Sequence, residues 1–363
     1  AGMGSFPVNV YYRLMKGLEK KIPNEEKRKK HIIENMLYMA EINKKNCYIL
    51  NKLFNSKKYK SNIYCGDSLK LDVSKKFEVD KFDVIMGNPP YNKGGIKAPG
   101  SKNVNSKKET IWTTFVEIAF PMLKENGFLM YIHPLSWLRR TSKVHPILCE
   151  KNILWLKLMD ASQSKIKIKG EIAISIYLIQ NKINSDKSKT QINYEMKRED
   201  LYGTEMYYID GIKSIPLSYY GIFEKLTKFI EKNNLELKVE ARTITSTGKK
   251  IGLPKKYTLE DKYNVDTYTL KEGLLVKKSK DYHPDASKNK IIIANKTNFS
   301  GMFVDKGKLG LTGSDKFYIL GDDLNKLMEF MNYKIFKVVL QFTKYRMYFL
   351  DKEAFEFIPD IRK

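Results

Sequence analysis

The stretch Phe82-Asp83-Val84-Ile85-Met86-Gly87-Asn88-Pro89-Pro90-Tyr91 constrains this chain more than any other. Phe82, Val84, Ile85 and Met86 form a short apolar run suited to a buried, central parallel strand. Gly87 releases the backbone, and two consecutive prolines then fix φ and deny the turn amide donors of their own. What projects from such a turn is an Asn amide, the carbonyls beside the prolines, and an aromatic ring. That set can accept hydrogen bonds from a planar amino group while the ring stacks on its π face.

The rest of the chain must build a fold around a strand that ends this way. With 363 residues there is material for two domains with full cores. Apolar content of 42% places the chain among globular proteins. No apolar run approaches a membrane span and no signal-peptide pattern opens the chain, so an intracellular protein is expected. Cys47, Cys65 and Cys149 are scattered and odd in number, which argues against a disulfide framework and for a reducing compartment. Four scattered histidines do not suggest a zinc site. The formal charge of +25 suits a polyanion, with nucleic acid the leading candidate. The excess is mostly Lys, which an AT-rich coding sequence would also produce.

Read in order, the chain alternates. Ala1-Gly2-Met3-Gly4-Ser5-Phe6 reads as a glycine turn entering a helix, where the backbone can approach a ligand closely. The strand that should feed this turn is not present, so the expectation is a chain cut immediately upstream. Asn24 begins a basic helix, and Met36 to Asn43 reads as a strand carrying Glu41 at its end. An acid there is where a ribose diol would be held. Asn46 to Phe54 reads as a helix, and Ile63 to Cys65 as a strand followed by Asp67, placed to accept from an adenine amine. Residues 92 to 110 form a long polar loop, with five lysines that could meet phosphates. Thr110 to Asn126 is expected as a helix stopped by Gly127, Phe128 to Ile132 as a strand, and Ile153 to Met159 as another. Glu171 to Ile179 is expected to close an open, doubly wound parallel sheet. The polar stretch Asn181 to Ser188 is the expected boundary. Beyond it, Tyr219 to Lys232 and Leu324 to Phe342 read as helices among short strands.

Together the motifs resemble the adenine-specific (N6) DNA methyltransferases of restriction-modification systems, in the subgroup with the catalytic domain first. The resemblance implies an α/β, Rossmann-like S-adenosylmethionine (SAM) domain over residues 1–184. A smaller mixed α+β target-recognition domain would follow over 190–363. It assigns Ala1, Gly2, Gly4 and Phe6 to the SAM-binding glycine motif, Glu41 to the ribose and Asp67 to the SAM adenine amine. Phe115 would pack on that adenine, and Asn88, Pro89, Pro90 and Tyr91 would be the catalytic tetrapeptide, with Asn88 also at the cofactor. A second base-stacking aromatic, usual before the closing strand, is missing here, where Ile166 or Ile168 would stand in. The absent upstream segment would leave cofactor binding weak.

The implied partners are double-stranded DNA and a cognate restriction endonuclease, with the protein itself monomeric. Two other readings stay open. The same tetrapeptide occurs in enzymes that methylate a protein glutamine or ribosomal RNA, and a SAM- and DNA-binding subunit with weak catalysis also fits. The basic stretch from residue 190 onward favours DNA.

Overall fold

The computed structural model describes residues 1–92, 110–160, 173–197, 200–269, 273–295, 301–313, 315–345 and 350–363. They divide into two compact units. The first comprises Ala1–His133, Lys151–Leu154 and Ile176–Asn184; the second comprises Pro134–Glu150, Trp155–Ser175 and Ser185–Lys363.

The first unit opens with α1 (Ser5–Gly17), α2 (Glu25–Asn35), β1 (Tyr38–Glu41), α3 (Lys44–Leu53) and β2 (Asn62–Cys65). Side-chain caps fix two helix starts: Asn24 accepts from the Lys27 amide, and Asn43 from those of Lys45 and Asn46. Val8, Tyr11, Leu14, Met15 and Leu18 recur at helical spacing along and just beyond α1. They pack on a core of Ile32, Ile33, Leu37, Met39, Leu50, Phe54 and Tyr59. β1 and β2 pair in parallel, Tyr38 opposite Asn62 and Glu41 opposite Cys65. After α4 (Val73–Phe77) comes β3 (Phe82–Gly87), and the Tyr38 ring packs against both Phe77 and Phe82 with centroids 5.3 Å apart.

Next follow α5 (Trp112–Met122) and β4 (Leu123–Pro134). β4 pairs in parallel with β3, from Val84 opposite Phe128 to Gly87 opposite Tyr131. The helix expected to run to Asn126 stops at Met122. Pro121 sits in its last turn, and the chain then turns through Asn126 (φ 61°). Gly127 is required there, because a Cβ would lie 3.0 Å from the Asp83 carbonyl oxygen.

After α6 (His145–Cys149) the strands are β5 (Lys151–Asp160), β6 (Ala173–Ile183), β7 (Thr190–Met196) and β8 (Leu201–Tyr207). The six-stranded sheet runs β3-β4-β6-β5-β7-β8. β6 therefore does not close the sheet, as its position in sequence suggested; it inserts between β4 and β5. Its apolar run, with Ile174, Tyr177 and Ile179 fully buried, is suited to an interior position. The sheet is also mixed, not wholly parallel. β7 is parallel to β5, but β8 returns antiparallel to β7 because the few residues between them are too short for a crossover. The polar stretch 181–188 holds the end of β6, and β7 and β8 beyond it still add to this sheet.

The second unit continues with α7 (Tyr220–Lys232), β9 (Ile251–Gly252), β10 (Tyr263–Thr269), β11 (Gly273–Lys278), β12 (Asn289–Ala294), β13 (Met302–Lys306), β14 (Gly310–Leu311) and β15 (Lys316–Leu320). Two small sheets, β14-β10-β11-β9 and β13-β12-β15, share a core that includes Val265, Val276, Ile292, Leu311 and Tyr318. The last helical stretch is two helices, α8 (Leu324–Met331) and α9 (Lys334–Phe342). They are separated where Tyr333 takes an extended conformation and starts the second.

The result is a mixed α/β sheet with β6 threaded between β4 and β5, a separate parallel pair β1-β2, and a mixed α+β region after them.

Candidate active site

The glycine turn folds back onto the end of β1. Gly2 (φ 60°) and Gly4 (φ 103°) occupy the left-handed region that favours glycine. Gly4 precedes α1 so closely packed that a Cβ would stand 2.8 Å from Leu53 Cδ1, whereas the position of a Gly2 Cβ is open space. The Gly2 amide donates to Glu41 Oε2 at 2.6 Å, and the Ala1 nitrogen lies 2.7 Å from the Ala40 carbonyl oxygen. Glu41 Oε1 accepts from the Asn43 amide at 2.9 Å. Burial pushes the Glu41 carboxyl up, but the Asn43 and Gly2 amides that donate to it hold the group below its ordinary range. Phe6 is exposed on the first turn of α1.

Asp67 reaches the same region through the backbone. The Gly66 amide donates to the Glu41 carbonyl oxygen at 2.9 Å, bringing the end of β2 beside the end of β1. Asp67 Oδ1 caps the short helical turn Ser68–Lys70 by accepting from the Leu69 amide at 3.0 Å. Its second oxygen has no partner among the described residues. α5, which carries half-buried Phe115, packs on that same turn. Cys47, whose thiol donates to the Glu41 carbonyl oxygen, is pushed up to about 11 by burial and is no nucleophile at neutral pH.

The tetrapeptide leaves β3 directly. Asn88 and Pro90 are exposed, Pro89 is buried and Tyr91 is half-buried. The Tyr91 carbonyl oxygen accepts from the Ile111 amide at 3.2 Å, and Asn92 bridges Thr110, so the turn is fastened to the start of α5. The Tyr91 hydroxyl is buried without a partner among the described residues, and burial pushes its ionisation up to about 12. One unbroken line of contacts thus runs from the glycine turn through Glu41, Gly66, the Asp67 turn and α5 to Tyr91. Every member lies in the first unit.

Three buried residues beside this line carry no role that the sequence suggested: Trp112, His133 and Tyr177. Their pairing joins positions far apart in the chain, so no local pattern marks it. The lysine-rich loop, apart from its ends at 92 and 110, lies outside the described residues, as do Ile166 and Ile168. Among the described residues no cluster of His, Cys, Asp or Glu could hold a metal ion, and no helix is long and apolar enough to cross a membrane.

Comparison with known proteins agrees with the resemblance as far as a restriction-modification methylase. Residues 15–165 match the model of the Eco57I restriction-modification methylase family. Over 72 residues the chain is 35% identical to RM.MjaORFECS2P of Methanocaldococcus jannaschii, described as a type II restriction enzyme and methyltransferase. That match covers 19% of this chain and 6% of the relative. Among solved structures, the type IIL restriction-modification enzyme MmeI in complex with DNA aligns over 90% of this chain and 57% of its own. The TM-score is 0.49 and the identity 10%. The M protein of the type I restriction enzyme EcoKI aligns over 58% and 46%, with a TM-score of 0.42 and 12% identity. The chain thus spans little more than half, or less, of the length of each of these proteins.

Proposed function

We propose, proceeding from the restriction-modification methylase family that residues 15–165 match, that this chain is a SAM-dependent DNA methyltransferase acting on the N6 amine of adenine. The observation that carries the reading is the Asn88–Tyr91 turn at the end of β3, fastened through α5 to the turn of Asp67. The net charge of +25 supports duplex DNA as the substrate, and residues 190–363 are read as the part that recognises the target sequence. A monomer working alongside a separate restriction endonuclease belongs to the same reading.

The residues present fit a nucleoside with an amino-acid tail. Gly2 leaves the backbone of the turn accessible while Gly4 lets it pack on Leu53, Glu41 offers a carboxylate for ribose hydroxyls, and the open oxygen of Asp67 suits an adenine amine. Phe115 and Phe6 supply apolar contact. SAM bound there would supply an electrophilic methyl group on a sulfonium centre.

The chain's own task is to make a poor nucleophile competent. An exocyclic adenine amine has its lone pair delocalised into the ring. Asn88 Oδ1 accepts one N–H and the Pro89 carbonyl oxygen the other, which biases the nitrogen towards a tetrahedral geometry and frees its lone pair. Flipping the base out of the duplex costs a few kcal/mol. Stacking on Tyr91 returns about 1–3 kcal/mol. The proton released after transfer passes to solvent; positioning, not general-base strength, carries the rate.

The test is mass spectrometry of nucleosides after incubating the protein with SAM and unmethylated mixed-sequence duplex DNA. N6-methyladenine is the expected product. Its absence, with transfer to a protein glutamine or to ribosomal RNA instead, would overturn the substrate.

Glu41 gives a second prediction. Glu41→Ala removes hydrogen bonds to a charged acceptor, each worth about 1.5–3 kcal/mol, so SAM affinity should fall about ten- to a hundredfold. Because the carboxyl is held low, it stays ionised down to below the ordinary value of about 4.3. SAM affinity measured by calorimetry should therefore be flat from pH 8 to about pH 5 and weaken only below that. A break near neutral pH would take Glu41 out of the role.

A further inference from the structure

We infer that His133 is a positioning residue for the Asn88–Tyr91 turn, acting through Trp112. The inference rests on the reading of that turn as the site of methyl transfer. His133 lies on β4, two residues beyond Tyr131, which pairs with Gly87, the last residue of β3. It is fully buried, as is Tyr177, and Trp112 is nearly so. An imidazole in such a place is costly unless it is hydrogen-bonded, and a Leu or Phe would fill the space without that cost.

Two contacts fix the ring. Its face stacks on Trp112, centroids 4.3 Å apart and planes 20° from parallel. Its Nε2 lies 3.0 Å from the Tyr177 hydroxyl oxygen, and the Tyr177 ring meets it edge-on at 5.0 Å. The stack sets the imidazole plane, and the hydrogen bond sets its rotation within that plane. Trp112 is held in turn, and Ile111 immediately before it donates the hydrogen bond that Tyr91 accepts.

This matters because of what the turn lacks. Pro89 and Pro90 have no N–H, so the turn cannot brace itself through amides at those positions. Its fastening to the start of α5 passes through Thr110 and Ile111, the two residues that precede Trp112. A line of support therefore runs Tyr177, His133, Trp112, Ile111, Tyr91, with each member in the first unit. His133 touches no substrate; it holds what does.

The experiment uses the full chain as wild type, His133→Ala, His133→Phe and Tyr177→Phe. Three readouts are taken: kcat for methyl transfer to unmethylated duplex DNA at saturating SAM, the SAM Kd, and the ¹⁹F resonance of 3-fluorotyrosine at position 91. That resonance is assigned by its loss in Tyr91→Phe. His133→Ala should lower kcat about a hundredfold, the size expected for a displacement of about 1 Å at a reacting centre. Its SAM Kd should stay within about twofold of wild type, and its Tyr91 resonance should shift or broaden. His133→Phe, which keeps the stack but not the hydrogen bond, should lie between. If His133→Ala does not fold, Tyr177→Phe carries the same three readouts with the loss of a single hydroxyl. A folded variant with unchanged kcat and an unchanged Tyr91 resonance overturns the inference. Should wild type bind SAM and yet transfer no methyl group, the reading of the turn fails. The fluorine resonance then decides on its own whether His133 positions Tyr91.

Discussion

Replacing Asn88 by alanine should lower methyl transfer at least about a thousandfold while SAM affinity stays within about twofold of wild type. The asymmetry follows from where Asn88 stands. It is exposed at the end of β3, beyond the last paired residue, Gly87, so its side chain supports no strand and no core. The glycine turn, Glu41 and Asp67, which are read as the cofactor's holders, make no hydrogen bond with it among the described residues. What is lost is one acceptor for the amine, and with it the bias that exposes the nitrogen lone pair. Tyr91 should divide differently. Its hydroxyl has no partner among the described residues, so Tyr91→Phe should keep most of the activity. Tyr91→Ala, which loses the ring, forfeits stacking worth about 1–3 kcal/mol, or about five- to a hundredfold. Nucleoside mass spectrometry for transfer and calorimetry for SAM binding separate these outcomes. An Asn88→Ala protein that still turns over would remove the tetrapeptide from the mechanism.

Much of this site was legible because its determinants are local. A strand run ending in Gly-Asn-Pro-Pro-Tyr, a Gly-x-Gly before a helix and a helix start at Asn24 each act within a few residues. The structure has β3, α1 and α2 where those patterns put them and starts α3 at Lys44, two residues early; β3 is however the first strand of its sheet, not a central one, and leaves Val84 and Met86 exposed. What the sequence could not convey is set by partners far along the chain. The apolar run of β6 suits an interior position, but nothing in it says that its neighbours are β4 and β5. His133 and Tyr177 are 44 positions apart, and nothing near either predicts the other. Charge was also misleading in places. Every lysine counts towards +25, and the natural reading sets each on a solvated face. Lys290 and Lys316 are instead buried in the second unit.

Lys290 carries the largest expected effect on stability. Its ammonium lies 3.0 Å from the carbonyl oxygens of Asp285 and Ala286, 2.9 Å from that of Lys288 and 2.7 Å from Asp305 Oδ2. Asp305 in turn accepts from the Lys308 and Leu309 amides, so the pair ties β12 and β13 to the turns beside them. Burial pushes the Lys290 ammonium's pKa down, with Asp305 opposing it. Lys290→Met removes the cation and leaves a buried carboxylate and three carbonyl oxygens without it. The expected loss is about 3–5 kcal/mol, read from denaturant unfolding. Lys290→Met with Asp305→Asn removes both charges and should recover part of that loss, which a double-mutant cycle measures. A single variant within about 1 kcal/mol of wild type would show the pair to be dispensable. The same burial makes a second, independent demand. A lysine inside the fold cannot neutralise a phosphate, so the slope of DNA affinity against salt should be unchanged in Lys290→Met provided that it folds. Removing one surface lysine that meets the backbone should reduce that slope by about one. Surface lysines, not the full count of 66 basic residues, then set the field that the DNA meets.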